Sequence, residues 1–236
     1  MASPDPKIPS TIAIRPPSKY VLKQSESADA DAFVPPPLEW LYRTWAVTHS
    51  TLSMWRSAQN VRITYKPYKP STNKPSSSPP LAIDDLVEYE KKGSGSGSGV
   101  KSVEGIDKPA ADRAGSGSGS SSSPGGAWDW RGKGWLKIAS SHWEVLGYGE
   151  RPQATAAGAG DEEGGAERWV VTWFAPTLFT QEGLDIYSNR REGLSQETLD
   201  AIMKALKELG DAPKIVTLVE KHMQPVAISL PWQEGA

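Results

Sequence analysis

Three histidines, one of them beside a glutamate in strand spacing, and an unusual supply of large aromatic rings are the residues with chemistry to offer. His49 follows Trp45 and Val47 at alternate positions, so a strand there puts an imidazole at the end of an aromatic and apolar face. An imidazole so placed can orient a polar ligand head, act as an acid or base, or bind haem iron, and it can equally be a satisfied core residue. His142 and Glu144 share a strand face and form a candidate proton-transfer pair. His222 falls near the end of a predicted helix, where a cation is favourable for structural reasons alone. Ten Trp and seven Tyr, many on strand faces with alternating apolar residues, are the material of an aromatic ligand pocket or of a self-filled core.

Other chemistries are not supported. The sequence has no cysteine, so it offers no disulfide, thiolate nucleophile or thiolate metal ligand. The histidines form no close pair, and neither a metal nor a cofactor is expected. Gly132-Lys133-Gly134 lacks the rest of a phosphate loop, and the Asp161-Glu162-Glu163 triplet reads as solvated loop charge. Lys+Arg 26 against Asp+Glu 28 leaves a formal charge of -2 with no basic stripe, which argues against a nucleic-acid partner. Met-Ala-Ser-Pro-Asp-Pro-Lys has no apolar signal core, and no apolar run approaches the roughly 18 residues of a membrane span. A soluble cytoplasmic protein is expected.

The elements that would position these residues are mostly short strands. Residues 1–37, rich in Pro, Ser, Asp and Ala, read as a disordered arm, and residues 38–236 as one domain. Flexible loops are expected at 67–80, 93–99, 110–126 and 151–166; two of them are Gly-Ser repeats of the kind found both in natural low-complexity loops and in engineered linkers. Leu38–Tyr42 fits one helical turn. Strands are predicted at 44–51, 60–66, 81–92, 100–107, 169–173, 184–188 and 226–230. Two more, at 128–137 and 142–149, are expected to be continuous or gently bent at Ala139-Ser140-Ser141. Ser195 caps a helix whose Leu199, Ile202, Met203, Leu206 and Leu209 recur at helical spacing before Gly210 ends it, and a shorter helix fits 212–222. Such an order predicts an all-β fold: an eight-stranded antiparallel up-and-down barrel with a C-terminal helix packed on its outside. The interior of a barrel of that size holds its own side chains or one small ligand.

This order resembles the lipocalins and the wider calycin group. Trp45 matches the tryptophan of the family's first-strand Gly-x-Trp, with Arg43 in the glycine position; Ile186-Tyr187-Ser188-Asn189-Arg190 followed by Gly193 to Leu199 is similar to its last strand, arginine and helix start. The family's Thr-Asp-Tyr-like segment is replaced by Glu167-Arg168-Trp169, so the resemblance covers the order of elements over 38–210 with specific residues at the two ends. Segments around Trp45 and around Trp128-Asp129-Trp130 also look like fungal sequences, a likeness that supplies no activity. The resemblance implies that Arg190 or Arg191 covers Trp45 through a cation–aromatic contact. It also implies a hydrophobic or amphipathic small molecule inside the barrel, for which Trp45, Val47, His49, Ile63, Tyr65, Trp143, Trp169 and Trp173 are the candidate lining. An isomerase- or cyclase-type enzyme using His49 or the His142–Glu144 pair, and a filled structural barrel, are the alternatives. Oligomeric state does not follow from the sequence.

Overall fold

A computed structural model describes residues 8–21, 33–69, 81–93, 99–110, 126–152, 165–177 and 180–233. The expected loops 67–80, 93–99, 110–126 and 151–166 lie largely outside these, as does the Asp161-Glu162-Glu163 triplet.

Eight antiparallel strands follow one another around the sheet: β1 Thr44–Ser50, β2 Ala58–Pro67, β3 Ile83–Lys91, β4 Lys101–Pro109, β5 Ala127–Gly132, β6 Ser140–Pro152, β7 Ala166–Phe174 and β8 Gly183–Ser188. Pairing of β1 with both β2 and β8 closes the barrel, so the expected fold class is the observed one. Strands β5 and β6 are not continuous; a 3-10 turn at Gly134–Ile138 folds them into an antiparallel hairpin with Trp128 opposite Trp143.

The closure is short on one side. β1 meets β2 over only Thr44 to Ala46, and beyond that point the C-terminal segment enters the gap. There β9, Gln224–Pro225, pairs with His49 and Ser50, while Val226 donates to the Thr48 carbonyl and Asn60 donates to the Ala227 carbonyl. Asn60 has a φ of 53°, a left-handed value that asparagine tolerates better than most residues, and its buried side chain exchanges hydrogen bonds with Ser229 at 2.8 and 2.7 Å. The strand expected at 226–230 is thus a two-residue strand followed by a single parallel bridge.

Two apolar cores lie on opposite sides of the same sheet. Inside the barrel, Trp45, Val47, Val61, Ile63, Tyr65 and Val145 pack with the short helix α1, Leu38–Leu41, which plugs one end. Outside it, Leu146, Val171, Leu184 and Ile186 pack under α2, Gln196–Lys207, and α3, Pro213–His222. Ile202, Leu206 and Ile215 are fully buried in that second layer, each worth roughly 1.5–3 kcal/mol of apolar burial. Ser195 caps α2 by accepting from the Thr198 N–H, and the buried Glu167 carboxylate accepts from the Ser195 hydroxyl at 2.8 Å and from its backbone N–H, a favourable place for negative charge.

Residues 8–21, read from sequence as part of a disordered arm, run along the outer face of β6. Arg15 donates to the Leu146 carbonyl, Glu150 donates to that of Pro9, and the Ala13 carbonyl and the Ile14 side chain occupy the space a side chain at Gly147 would need. Among the described residues no helix is long and apolar enough to cross a membrane.

Candidate functional site

The end of the barrel away from α1 holds a cavity of about 760 Å³, open at its mouth. Its upper wall is mostly apolar: Leu52 and Trp55 come from the connection after β1, Ile138 from the 3-10 turn, Phe174 from the end of β7 and Pro176 from just beyond it, with Ser140, Ser141, Thr177 and Thr180 as the polar members. Its deeper wall combines Ile63, Tyr65, Val87, Trp143 and Tyr187 with three polar side chains, Asp85, Thr172 and Asp185. Tyr65 stacks on Trp143 at 5.7 Å between ring centroids and 6° between planes.

The local sequence explains each placement. On β2 Ile63 and Tyr65 alternate with Arg62 and Thr64, and on β6 Trp143 alternates with His142 and Glu144, so one parity reaches the interior and the other does not. Gly105 stands opposite Asp85 across β3 and β4, and a side chain there would meet the Trp130 ring at 2.0 Å; the glycine is what lets that indole lie beside Asp85.

Electrostatically the floor is one-sided. None of the described lining residues is Lys, Arg or His. Asp185 accepts from the Ser50 hydroxyl at 2.5 Å, yet burial holds its pKa at about 7, with the Ser50 bond and the Arg56 charge offsetting only part of that cost. Behind Trp143, Asp107 accepts from the Trp143 indole N–H at 2.8 Å and leaves its other carboxylate oxygen unpartnered. Asp85 is 7% exposed, has an oxygen with no hydrogen-bond partner, and is raised well above the usual carboxylate range, first by burial and then by the neighbouring Asp107. Burial, with these carboxyls adding to it, raises the phenols of both Tyr65 and Tyr187. The arrangement can accept hydrogen bonds or offset positive charge, and at neutral pH its carboxyls can hold protons. Among the described residues no group of three His, Cys, Asp or Glu side chains is arranged to hold a metal ion.

The candidate lining residues divide. Ile63, Tyr65 and Trp143 line the cavity; Trp45 and Val47 are interior but lie in the core nearer the plugged end. His49 does not line it, because a β-bulge between Val47 and His49 shifts the alternation, and the inward partner of Asp185 is Ser50 instead. His49 is half-buried, with its pKa lowered by desolvation. Trp169 and Trp173 sit on the other face of β7, in the layer beneath the helices, where the Trp173 indole donates to Glu182 at 2.9 Å. The inward residues of that strand are Val170, Thr172 and Phe174. Both faces of β7 and β8 are covered, so an apolar row there marks the helix side as readily as the interior.

His142 and Glu144 do pair, with Nε2 and Oε1 3.5 Å apart, but outside the barrel and beneath residues 8–21. His142 also contacts Asp129 at 2.8 Å, and Glu144 receives Arg15 at 2.8 Å and the Ser18 hydroxyl and backbone N–H. These partners hold Glu144 down at about 2 against the cost of burial and raise His142. The pair ties the N-terminal segment to the barrel. The expected arginine cover of Trp45 is also replaced: Arg190 pairs with Glu192 at 2.7 Å and Arg191 lies 5.1 Å over Trp232. Arg43, the residue in the family's glycine position, lies 5.5 Å over Trp45 and 5.7 Å over Trp40.

No protein-family model matches the sequence, and no curated protein matches it. Among solved structures the chain is similar to lobster apocrustacyanin A1, with 9% identity, 94% of each chain covered and a TM-score of 0.43. It is similar to apocrustacyanin C1 at 9% identity, 94% of each chain and 0.44. The siderocalin Ex-FABP, which functions through dual ligand specificities, is matched at 12% identity over 81% of this chain and 95% of that chain, with a TM-score of 0.42. Eight antiparallel strands in sequence order, closed by β1 on β8 and followed by an arginine segment and an external helix, make the chain an up-and-down β-barrel.

Proposed function

We propose that the protein binds a hydrophobic or amphipathic small molecule in the open end of the barrel. The observation that carries this reading is the cavity itself: about 760 Å³, with an aromatic and aliphatic upper wall and a few convergent polar groups at its floor. That size and composition match ligand pockets in general, which run roughly 300–1,000 Å³. A barrel filled by its own side chains would not leave that space. The isomerase or cyclase alternative loses the groups proposed for it, since neither His49 nor the His142–Glu144 pair lines the cavity. A cytoplasmic location belongs to the same reading, and the cysteine-free sequence is compatible with a reducing compartment.

The test is binding of a neutral solvatochromic dye such as Nile red, titrated against the protein and against Val87→Trp, which places an indole in the cavity. Saturable 1:1 binding that falls at least tenfold in the variant is expected. Absence of binding, or equal binding by a folded variant, would overturn the reading.

A further inference from the structure

We infer that the ligand ends in a protonated amine, seated against Asp85 on the cavity floor with its apolar body along the aromatic wall. This rests on the ligand-binding reading above and names the chemistry that the site selects.

Asp85 is the pivotal group. It is more than nine-tenths buried, faces the cavity, and has a carboxylate oxygen without a hydrogen-bond partner. A buried carboxyl in that condition is costly to a fold and is retained where something else supplies its counterpart. The described residues do not supply it. The Lys133 ammonium is committed to Asp84 and lies 3.6 Å from Glu104, and the Arg56 guanidinium, whose charge acts on Asp185, donates through Nη2 to the carbonyls of Ser50 and His222 at 2.9 and 2.8 Å and leaves Nη1 buried without a hydrogen-bond partner. Asp185 adds a second carboxyl to the same floor.

The surroundings favour an organic cation over a metal ion. Around Asp85 stand Trp130, drawn in over Gly105, and the rings of Tyr65, Trp143 and Tyr187. Aromatic faces attract an ammonium through their quadrupoles, whereas a hard metal ion requires several converging oxygens. The apolar upper wall accommodates an alkyl or aryl body. A carboxylate-terminated ligand of the same length meets two carboxyls and, among the described lining residues, no cation, so the site discriminates against fatty acids as well as for amines.

The groups facing Asp85 are Asp84 on its own strand, Asp107 on β4, Tyr65 on β2, Tyr187 on β8 and Lys133 in the turn after β5. Burial and the Asp107 charge favour a protonated Asp85 in the empty cavity. An arriving ammonium favours the carboxylate, so binding releases a proton.

The experiment measures displacement of Nile red by decylamine, decanol and decanoate at pH 7, with calorimetry of decylamine in two buffers of different ionisation enthalpy. Decylamine is expected to bind at least tenfold more tightly than decanol, with decanoate weakest and with proton release on amine binding. Asp85→Asn is expected to abolish the advantage of decylamine over decanol when both are measured on that variant, with far-UV circular dichroism and a cooperative thermal melt showing that the variant is folded. If Nile red and decanol fail to bind the native protein, the cavity reading fails. If they bind but decylamine has no advantage, or keeps it in Asp85→Asn, the cavity stands and the amine inference is overturned.

Discussion

Replacing Asp185 by Asn should stabilise the empty protein, and increasingly so as pH rises. Asp185 faces the cavity from β8 and is 5% exposed. Around it stand the Ser50 hydroxyl on β1, Arg56 in the turn after β1, Thr172 opposite on β7 and Tyr187 two residues on. Its folded pKa is about 7 against an ordinary value of 3.8, and burial is the cause. A group with a raised folded pKa binds more protons folded than unfolded between those two values, so its contribution to stability falls as pH rises through them. That interval corresponds to about 4 kcal/mol at pH 8, of which less than half is already felt at pH 5. Asn keeps an oxygen to accept the Ser50 hydroxyl and carries no charge to desolvate. Urea denaturation of both proteins at pH 5 and pH 8 should therefore show the advantage of Asp185→Asn growing by about 2–3 kcal/mol between the two. A stability difference that does not change with pH, or one that shrinks as pH rises, would refute the reasoning.

Trp169→Ala should cost about 3–5 kcal/mol, because it empties a fully buried site beneath the helices, yet leave Nile red affinity in the folded protein unchanged. Trp143→Ala should lower both, since that ring is part of the cavity wall. Arg43→Ala removes a cation over two indoles and a 2.8 Å hydrogen bond to the Trp40 carbonyl; a loss of about 1–2 kcal/mol is expected by chemical denaturation, against under about 0.5 kcal/mol for Glu192→Ala, which removes only the partner of a surface ion pair. Glu144→Gln should cost about 2 kcal/mol near neutral pH and raise hydrogen exchange at the Arg15 and Ser18 amides. Because the folded pKa of Glu144 lies at about 2, below its ordinary 4.5, that cost should vanish as pH falls through the interval between them.

Much of the architecture could be read from the sequence because it is encoded locally. The alternation of Val61, Ile63 and Tyr65 with polar neighbours, and the Ser195 cap with its helical apolar stripe, follow from periods of 2 and 3.6 residues that need no tertiary information. Together they determined an all-β chain with a late external helix, and of the residues they singled out Ile63, Tyr65 and Trp143 lie in the cavity wall. What periodicity cannot determine is which face of a doubly covered strand looks inward. On β7 the apolar row of Trp169, Val171 and Trp173 faces helices, and on β8 the inward row contains Asp185 and Tyr187, residues that in isolation resemble a wet surface. Nor can it place a bulge, and a single extra residue between Val47 and His49 was enough to take the histidine away from the site. The carboxyls of Asp85, Asp107 and Asp185 are far apart in sequence and unremarkable there. Only barrel closure brings Asp85 and Asp185 to one desolvated floor with Asp107 behind it, and it is that proximity, with no cation among the described lining residues, that gives the cavity its chemical preference.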